Sequence, residues 1–168
     1  MKIAFGFKMQ RGKDTCVDYL MSKYGGNKIT FAQPLYNALY SVQGIFNLPI
    51  QKDREFLQMV GDWARKKDDD IFVNLAIENS HKLGVTNKFC NDLRFMIEYR
   101  ALKKDGWTCI KINRNADIQY QGSNHRSETE LEILKDEDWD YIIDNDGTLE
   151  ELYSKLDTIV EIVSKLQK

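Results

Sequence analysis

Phe7-Lys8-Met9-Gln10-Arg11-Gly12-Lys13-Asp14-Thr15 lies between an apolar opening segment, Lys2-Ile3-Ala4-Phe5-Gly6, and a stretch in which Cys16, Val17, Leu20 and Met21 recur at helical spacing. The order is strand, polar loop, helix. A glycine, four residues, glycine-lysine and then serine or threonine, set in that order, marks a loop whose N–H groups curl round phosphate. Gly12-Lys13 stands in its place, but the first glycine falls on Phe7, with Gly6 one step early, and Asp14 takes the hydroxyl position ahead of Thr15. The physics survives these departures. Met9, Gln10, Arg11 and Gly12 can turn N–H groups inward, and the helix start adds its positive end. Gly12 permits close approach, and Lys13 reaches terminal phosphates as a point charge. Asp14 is tolerable beside phosphate with a divalent cation between them, and magnesium takes oxygen ligands. The plainer alternative is a strand-to-helix turn with Asp14 as an N-terminal helix acid. The strand–loop–helix context favours ATP and magnesium.

Outward from this loop, strands and helices alternate. Gly25-Gly26 closes the first helix, whose span is 14–24. Residues 28–32 read as extended, and Pro34 opens a helix running to about 46. Two more helices follow over 54–66 and 70–83. Residues 88–92 form a strand, with a helix through about 104; residues 107–112 form the clearest strand. Residues 113–124 make a long polar loop, and Ser127-x-x-Glu130 is a capping-box pattern that restarts a helix. A last strand over 140–143 precedes an amphipathic helix over 148–166, with Leu149, Leu152, Leu156, Ile159, Val160 and Val163 on one side. The prediction is an α/β domain over 1–168, with a central, mostly parallel sheet of about five strands flanked by helices.

Composition narrows the function classes. With 168 residues, 42% hydrophobic and 30% charged, the chain is one globular domain. No apolar run reaches the ~20 residues of a membrane span, and the polar N-terminus lacks a signal-peptide core. A cytoplasmic location follows, the host cytoplasm if the chain is phage-encoded. Basic and acidic residues balance at net −2; stable nucleic-acid binding, which leaves a basic stripe, is disfavoured. Cys16, Cys90 and Cys109, with His81 and His125, have no zinc or disulfide spacing and read as buried thiols and isolated histidines.

In α/β sheets, ligands sit at the strand C-terminal ends. Asp92, just past a strand, is placed to hold metal-bound water or orient an acceptor phosphate; capping the following helix is its plainer role. Arg94 could clamp that phosphate with its planar fork, or pair with Glu98 at the i+4 spacing. Arg54 and Gln58 share a helical face, with Arg65 three turns on. Arg114 and Arg126 bracket the polar loop, which could close as a lid over ATP. Asp68-Asp69-Asp70 reads as a helix start and a solvated face.

Six segments, in order, resemble bacteriophage-type deoxynucleoside monophosphate kinases, relatives of the adenylate kinase fold. They are Gly12-Lys13-Asp14-Thr15, Phe31-Ala32-Gln33-Pro34-Leu35, the run Leu57–Arg65, Asn91-Asp92-Leu93-Arg94-Phe95 with Glu98, His125-Arg126-Ser127-Glu128 and Asn145-Asp146-Gly147-Thr148. The resemblance implies transfer of the terminal phosphate of ATP to a deoxynucleoside monophosphate. It implies Lys13, Asp92, Arg114 and Arg126 in catalysis, and Met9 to Thr15 with Asn145 and Gly147 on the donor. Phe31, Arg54, Gln58, Trp63, Arg65 and Arg94 would then hold the acceptor, and Asp14 and Asp92 the metal. The acceptor region would span 34–83 and the lid 113–128; a homodimer is left open. A kinase of another small phosphorylated acceptor, a kinase of a modified base in phage DNA, and a non-catalytic nucleotide-binding module remain as alternatives.

Overall fold

In the computed structural model, residues 1–84, 86–115 and 125–166 are described. The elements run β1 (Lys2–Gly6), α1 (Lys13–Tyr24), β2 (Asn27–Ile29), α2 (Gln33–Ile45), α3 (Arg54–Lys67), α4 (Ile71–Lys82), β3 (Lys88–Leu93), α5 (Met96–Lys104), β4 (Thr108–Asn113), α6 (Arg126–Thr129), β5 (Tyr141–Asp144) and α7 (Leu149–Leu166). Two 3-10 turns, Glu130–Ile133 and Asp136–Asp138, follow α6. The strands form one parallel sheet in the order β2-β3-β1-β4-β5.

Alternation along β1 divides the core in two. Ile3 and Phe5 face one side with Phe89, Ile110 and Ile112, against Val17 and Leu20 of α1 and the buried stripe of α7. Ala4 faces the other side with Cys90 and Cys109, against Phe72, Val73 and Ala76 of α4 and Tyr99 and Leu102 of α5. Both faces of the central strands are covered, so these strands are apolar throughout rather than alternating with polar residues. Each fully buried large apolar side chain contributes roughly 1.5–3 kcal/mol. All three cysteines are free and buried. Among the described residues no helix is long and apolar enough to cross a membrane.

The strand and helix ends shift by one to three residues from those read in the sequence, the most at β2, read as 28–32 and observed as Asn27–Ile29, and there is one larger correction. The predicted Ser127–Glu130 capping box does not form. His125 is the N-cap of α6, its ring nitrogen accepting from the Ser127 N–H, and the helix ends after four residues. Glu130 instead accepts from the Met96 N–H and pairs with Arg126. The reciprocal cap appears at α7, where Thr148 N–H donates to Glu151 and Glu151 N–H to the Thr148 hydroxyl, each at 3.2 Å. Residues 34–83 contain α3, α4 and all of α2 except Gln33. Of the expected lid, residues 116–124 lie outside the described residues.

Candidate active site

The loop after β1 turns through three left-handed residues: Phe7 (φ 86°), Gln10 (φ 58°) and Gly12 (φ 102°). Phe7 thus adopts the backbone that glycine supplies cheaply at the first position of the motif. A bulky residue there carries strain of about 1–3 kcal/mol. Its ring is held under Lys111 Nζ, 4.4 Å from the ring centroid, a cation–π contact that offsets part of that cost. Gly12 is the N-cap of α1, and a Cβ there would strike the Asn145 side-chain amide. That amide donates to the Arg11 carbonyl at 2.9 Å, buttressing the loop from the end of β5.

Lys13 is buried at the first position of α1. Its ammonium donates to the Phe7 carbonyl at 3.0 Å and to the Lys8 carbonyl. Burial, reinforced by the Arg94 charge, lowers its pKa to about 7, while Glu128, Asp14 and Asp92 pull it upward. Lys13 therefore rests folded onto its own loop. An incoming polyanion offers it better partners than two neutral carbonyls.

A cavity of about 780 Å3 opens beside the loop. Gln10, Gly12, Lys13, Asp14, Thr15 and Arg114 line it, along with Asn91. The Asp14 side chain is 80% exposed there, within 3.7 Å of Lys28 Nζ, and accepts from the Asn91 amide. A second cavity, about 140 Å3, is lined by Phe31, Arg54, Gln58, Arg65 and Glu98, among others. The two share Met9, Ala32, Tyr36, Lys52, Asp92 and Arg94.

Asp92, at the end of β3, does not cap the helix that follows it. Its carboxylate accepts from the N–H groups of Phe31 (3.2 Å) and Ala32 (2.9 Å) at the entry to α2. This fixes Phe31 at the wall of the second cavity. Arg94 does not make the i+4 side-chain pairing with Glu98 because α5 starts only at Met96, which leaves Arg94 outside the helix. Glu98 caps that helix, accepting from the N–H groups of Arg94 (2.9 Å) and Phe95 (3.0 Å). Its other oxygen faces Arg65 at 3.6 Å. The Arg65 guanidinium lies 3.8 Å from the Phe95 ring centroid and 4.6 Å from that of Phe72. Burial, followed by the Asp92 charge, raises the Glu98 pKa to about 8 against the pull of these partners. The Arg94 side chain pairs with buried Glu128, which also accepts from the Met9 N–H at 2.9 Å.

The fold thus brings Arg54, Gln58, Arg65 and Arg94 to one cavity, and the loop residues with Arg114 to the other. Trp63 lines neither: it projects from the face of α3 opposite buried Gly61 and Ala64 and is 60% exposed. Arg126, paired with Glu130 and stacked on Phe95, also stands outside both, as do Arg11, Asn145 and Gly147. Sequence reasoning missed Tyr36 and Lys52, which no periodicity singles out, and gave no role to Glu128, quoted only within the His125–Glu128 segment. His125 lines the second cavity, with Nδ1 accepting the Ser127 N–H at 3.1 Å and Nε2 lying 3.3 Å from Asp62.

For magnesium, the candidate donors are Asp14 and Asp92, hard carboxylate oxygens lining one cavity. No group of three or more acidic, histidine or cysteine side chains suited to a metal occurs among the described residues. One or two carboxylates with substrate phosphates suffice for this ion, so the donor set fits.

No protein-family model matches the chain. It is 36% identical over 144 residues to “Uncharacterized protein ORF77” of Ictalurid herpesvirus 1 (strain Auburn), a match covering 80% of this chain and 60% of that protein. The chain therefore spans less than two thirds of that relative's length. It is 29% identical over 188 aligned positions to “Putative deoxynucleotide monophosphate kinase” of Acanthamoeba polyphaga mimivirus, covering 92% and 93% of the two chains. Among solved structures, dephospho-CoA kinase from Campylobacter jejuni superposes over the whole of both chains with a TM-score of 0.52 at 16% identity. The fold is that of the P-loop kinases.

Proposed function

We propose that the chain transfers the terminal phosphate of ATP, with magnesium, to a deoxynucleoside monophosphate. One observation carries the reading: a cavity floored by a phosphate-type loop joins an arginine-lined cavity through a shared wall that includes Arg94 and Asp92. A nucleotide-binding module has no use for the second chamber. The mimivirus relative, by its description, supports the deoxynucleotide acceptor.

Phosphoryl transfer needs positioning and charge stabilisation more than covalent help. An acceptor phosphate oxygen attacks the γ-phosphorus, the bond to the β–γ bridging oxygen breaks, and ADP leaves. The loop N–H groups hold the donor phosphates, and Lys13 swings from its carbonyls to the negative charge developing on the donor side. Arg94, Arg54 and Arg65 hold the acceptor phosphate, while Gln58 and Phe31 meet the base. Arg114 and Arg126 approach from the lid to neutralise the moving group. Asp14 and Asp92 would hold magnesium, which supplies neutralisation of phosphate oxygens when bound. The enzyme works in the cytoplasm on free nucleotides.

A kinase of a smaller phosphorylated acceptor is the second reading, favoured by the modest 140 Å3 of the arginine-lined cavity. The test is ADP release with each deoxynucleoside monophosphate, its ribo counterpart and a set of small phosphorylated alcohols. The expected result is highest kcat/KM on a deoxynucleotide. Turnover confined to the small acceptors, or none at all, defeats the proposal.

A further inference from the structure

Glu128 divides its carboxylate between the two halves of the site. One oxygen accepts from the Met9 N–H, a donor of the phosphate loop, at 2.9 Å. The other takes the guanidinium of Arg94, on the wall shared with the arginine-lined cavity. The side chain is almost wholly buried, only 4% exposed, and its negative charge also acts on the Lys13 ammonium. A buried planar oxyanion touching a loop N–H and an arginine of the opposite chamber stands where donor and acceptor phosphates must meet. Carboxylate and phosphoryl groups recruit the same donors, N–H groups and planar guanidinium forks.

We infer that Met9 N–H and Arg94 form a phosphoryl-group subsite which the chain's own Glu128 carboxylate fills until an anionic substrate displaces it. The identity of the displacing group as a phosphoryl in transfer rests on the phosphotransferase reading above. Two consequences follow. Empty, the site carries no uncompensated cluster of Lys13 and Arg94 charge. Loaded, it frees the Glu128 carboxylate from both partners. Glu128 is in this sense an internal competitor, and its removal tightens anion binding. A purely structural ion pair would do the reverse, because its loss would leave Arg94 misplaced.

The experiment is calorimetric titration of the full chain with inorganic pyrophosphate, without acceptor, for wild type, Glu128→Gln, Arg94→Ala and the double variant. Glutamine keeps the shape and an acceptor oxygen but loses the charge. Pyrophosphate is expected to bind Glu128→Gln roughly tenfold tighter, the difference between charged and neutral competition for two hydrogen bonds. In the Arg94→Ala background the gain should vanish. Equal or weaker binding by Glu128→Gln, with circular dichroism matching wild type, overturns the inference. If Glu128→Gln does not fold, Glu128→Asp serves instead: its shorter arm should loosen the pair and still tighten pyrophosphate several-fold, and unchanged binding again overturns it. Because no turnover is read, the two proposals fail separately. Tightening without activity on any monophosphate removes the kinase reading alone, whereas activity in wild type without tightening removes the competitor alone.

Discussion

Lys13→Met should make this protein more stable and far less active, and the gain should depend on pH. The wild-type ammonium has its pKa lowered by burial from 10.5 to about 7. The folded chain therefore binds fewer protons than the unfolded chain between those values, so folding strengthens as pH rises through that window. At 1.36 kcal/mol per pKa unit, holding Lys13 in the fold costs about 4 kcal/mol at pH 7 and about 2 kcal/mol at pH 9. Methionine keeps the length and apolar stem but abandons two carbonyl acceptors, Phe7 O and Lys8 O, at about 1 kcal/mol each. The net gain is about 2 kcal/mol at pH 7 and near zero at pH 9. For a domain of this size that is roughly 4–8 °C in Tm at the lower pH. Scanning calorimetry of both proteins from pH 6 to 9.5 reads the difference, and a coupled assay reads turnover, expected to fall by about a hundredfold or more. A variant that melts at or below wild type at pH 7, or a difference that does not shrink toward pH 9, refutes the reasoning.

Gly12→Ala should lower the melting temperature, because the new methyl strikes the Asn145 amide and the backbone stays at φ 102°; a cost of about 1–3 kcal/mol is expected. Asn145→Ala in the same chain should recover only the steric part, and identical melting of Gly12→Ala and wild type would contradict the loop geometry. Arg65→Ala strips buried Glu98 of its cation and should cost about 3–5 kcal/mol. The Glu98 pKa is raised from 4.5 to about 8, so its burial cost appears as pH rises through that window and is absent below it. Urea denaturation should therefore show Arg65→Ala closer to wild type at pH 5 than at pH 9, and a uniform loss would remove Glu98 as the cause.

Much of the fold was legible because it rests on local signals. The Val17–Leu20 face, the stripe from Leu152 to Val163 and the Ile-rich β4 declare their periods within a few residues, and Gly12-Lys13 marks the loop. The partners of the charged side chains were not legible. Arg94 reads as an i+4 match for Glu98, yet helix α5 begins too late, and Arg94 finds Glu128 from a distant segment while Glu98 finds Arg65. Burial of an acid is a tertiary event that leaves no mark on its neighbours in sequence. Trp63 shows the converse failure: an aromatic side chain beside candidate ligands lies on the outer face of α3 because Gly61 and Ala64 claim the inner one. Phe7 could be flagged as a departure, but only the backbone shows that it keeps the turn that glycine would have made.

The strand at the middle of the sheet is synthesised before the other four. β1 pairs in register with Lys88 on one side and Thr108 on the other, so its hydrogen-bonding edges stay unmatched until β3 and β4 have been synthesised. Distant pairing of this kind slows folding and leaves sticky edges exposed meanwhile. A ribosome stalled before β3 would therefore present Ile3-Ala4-Phe5 as a bare apolar ribbon, a natural target for chaperones and for misassembly in overproducing cells.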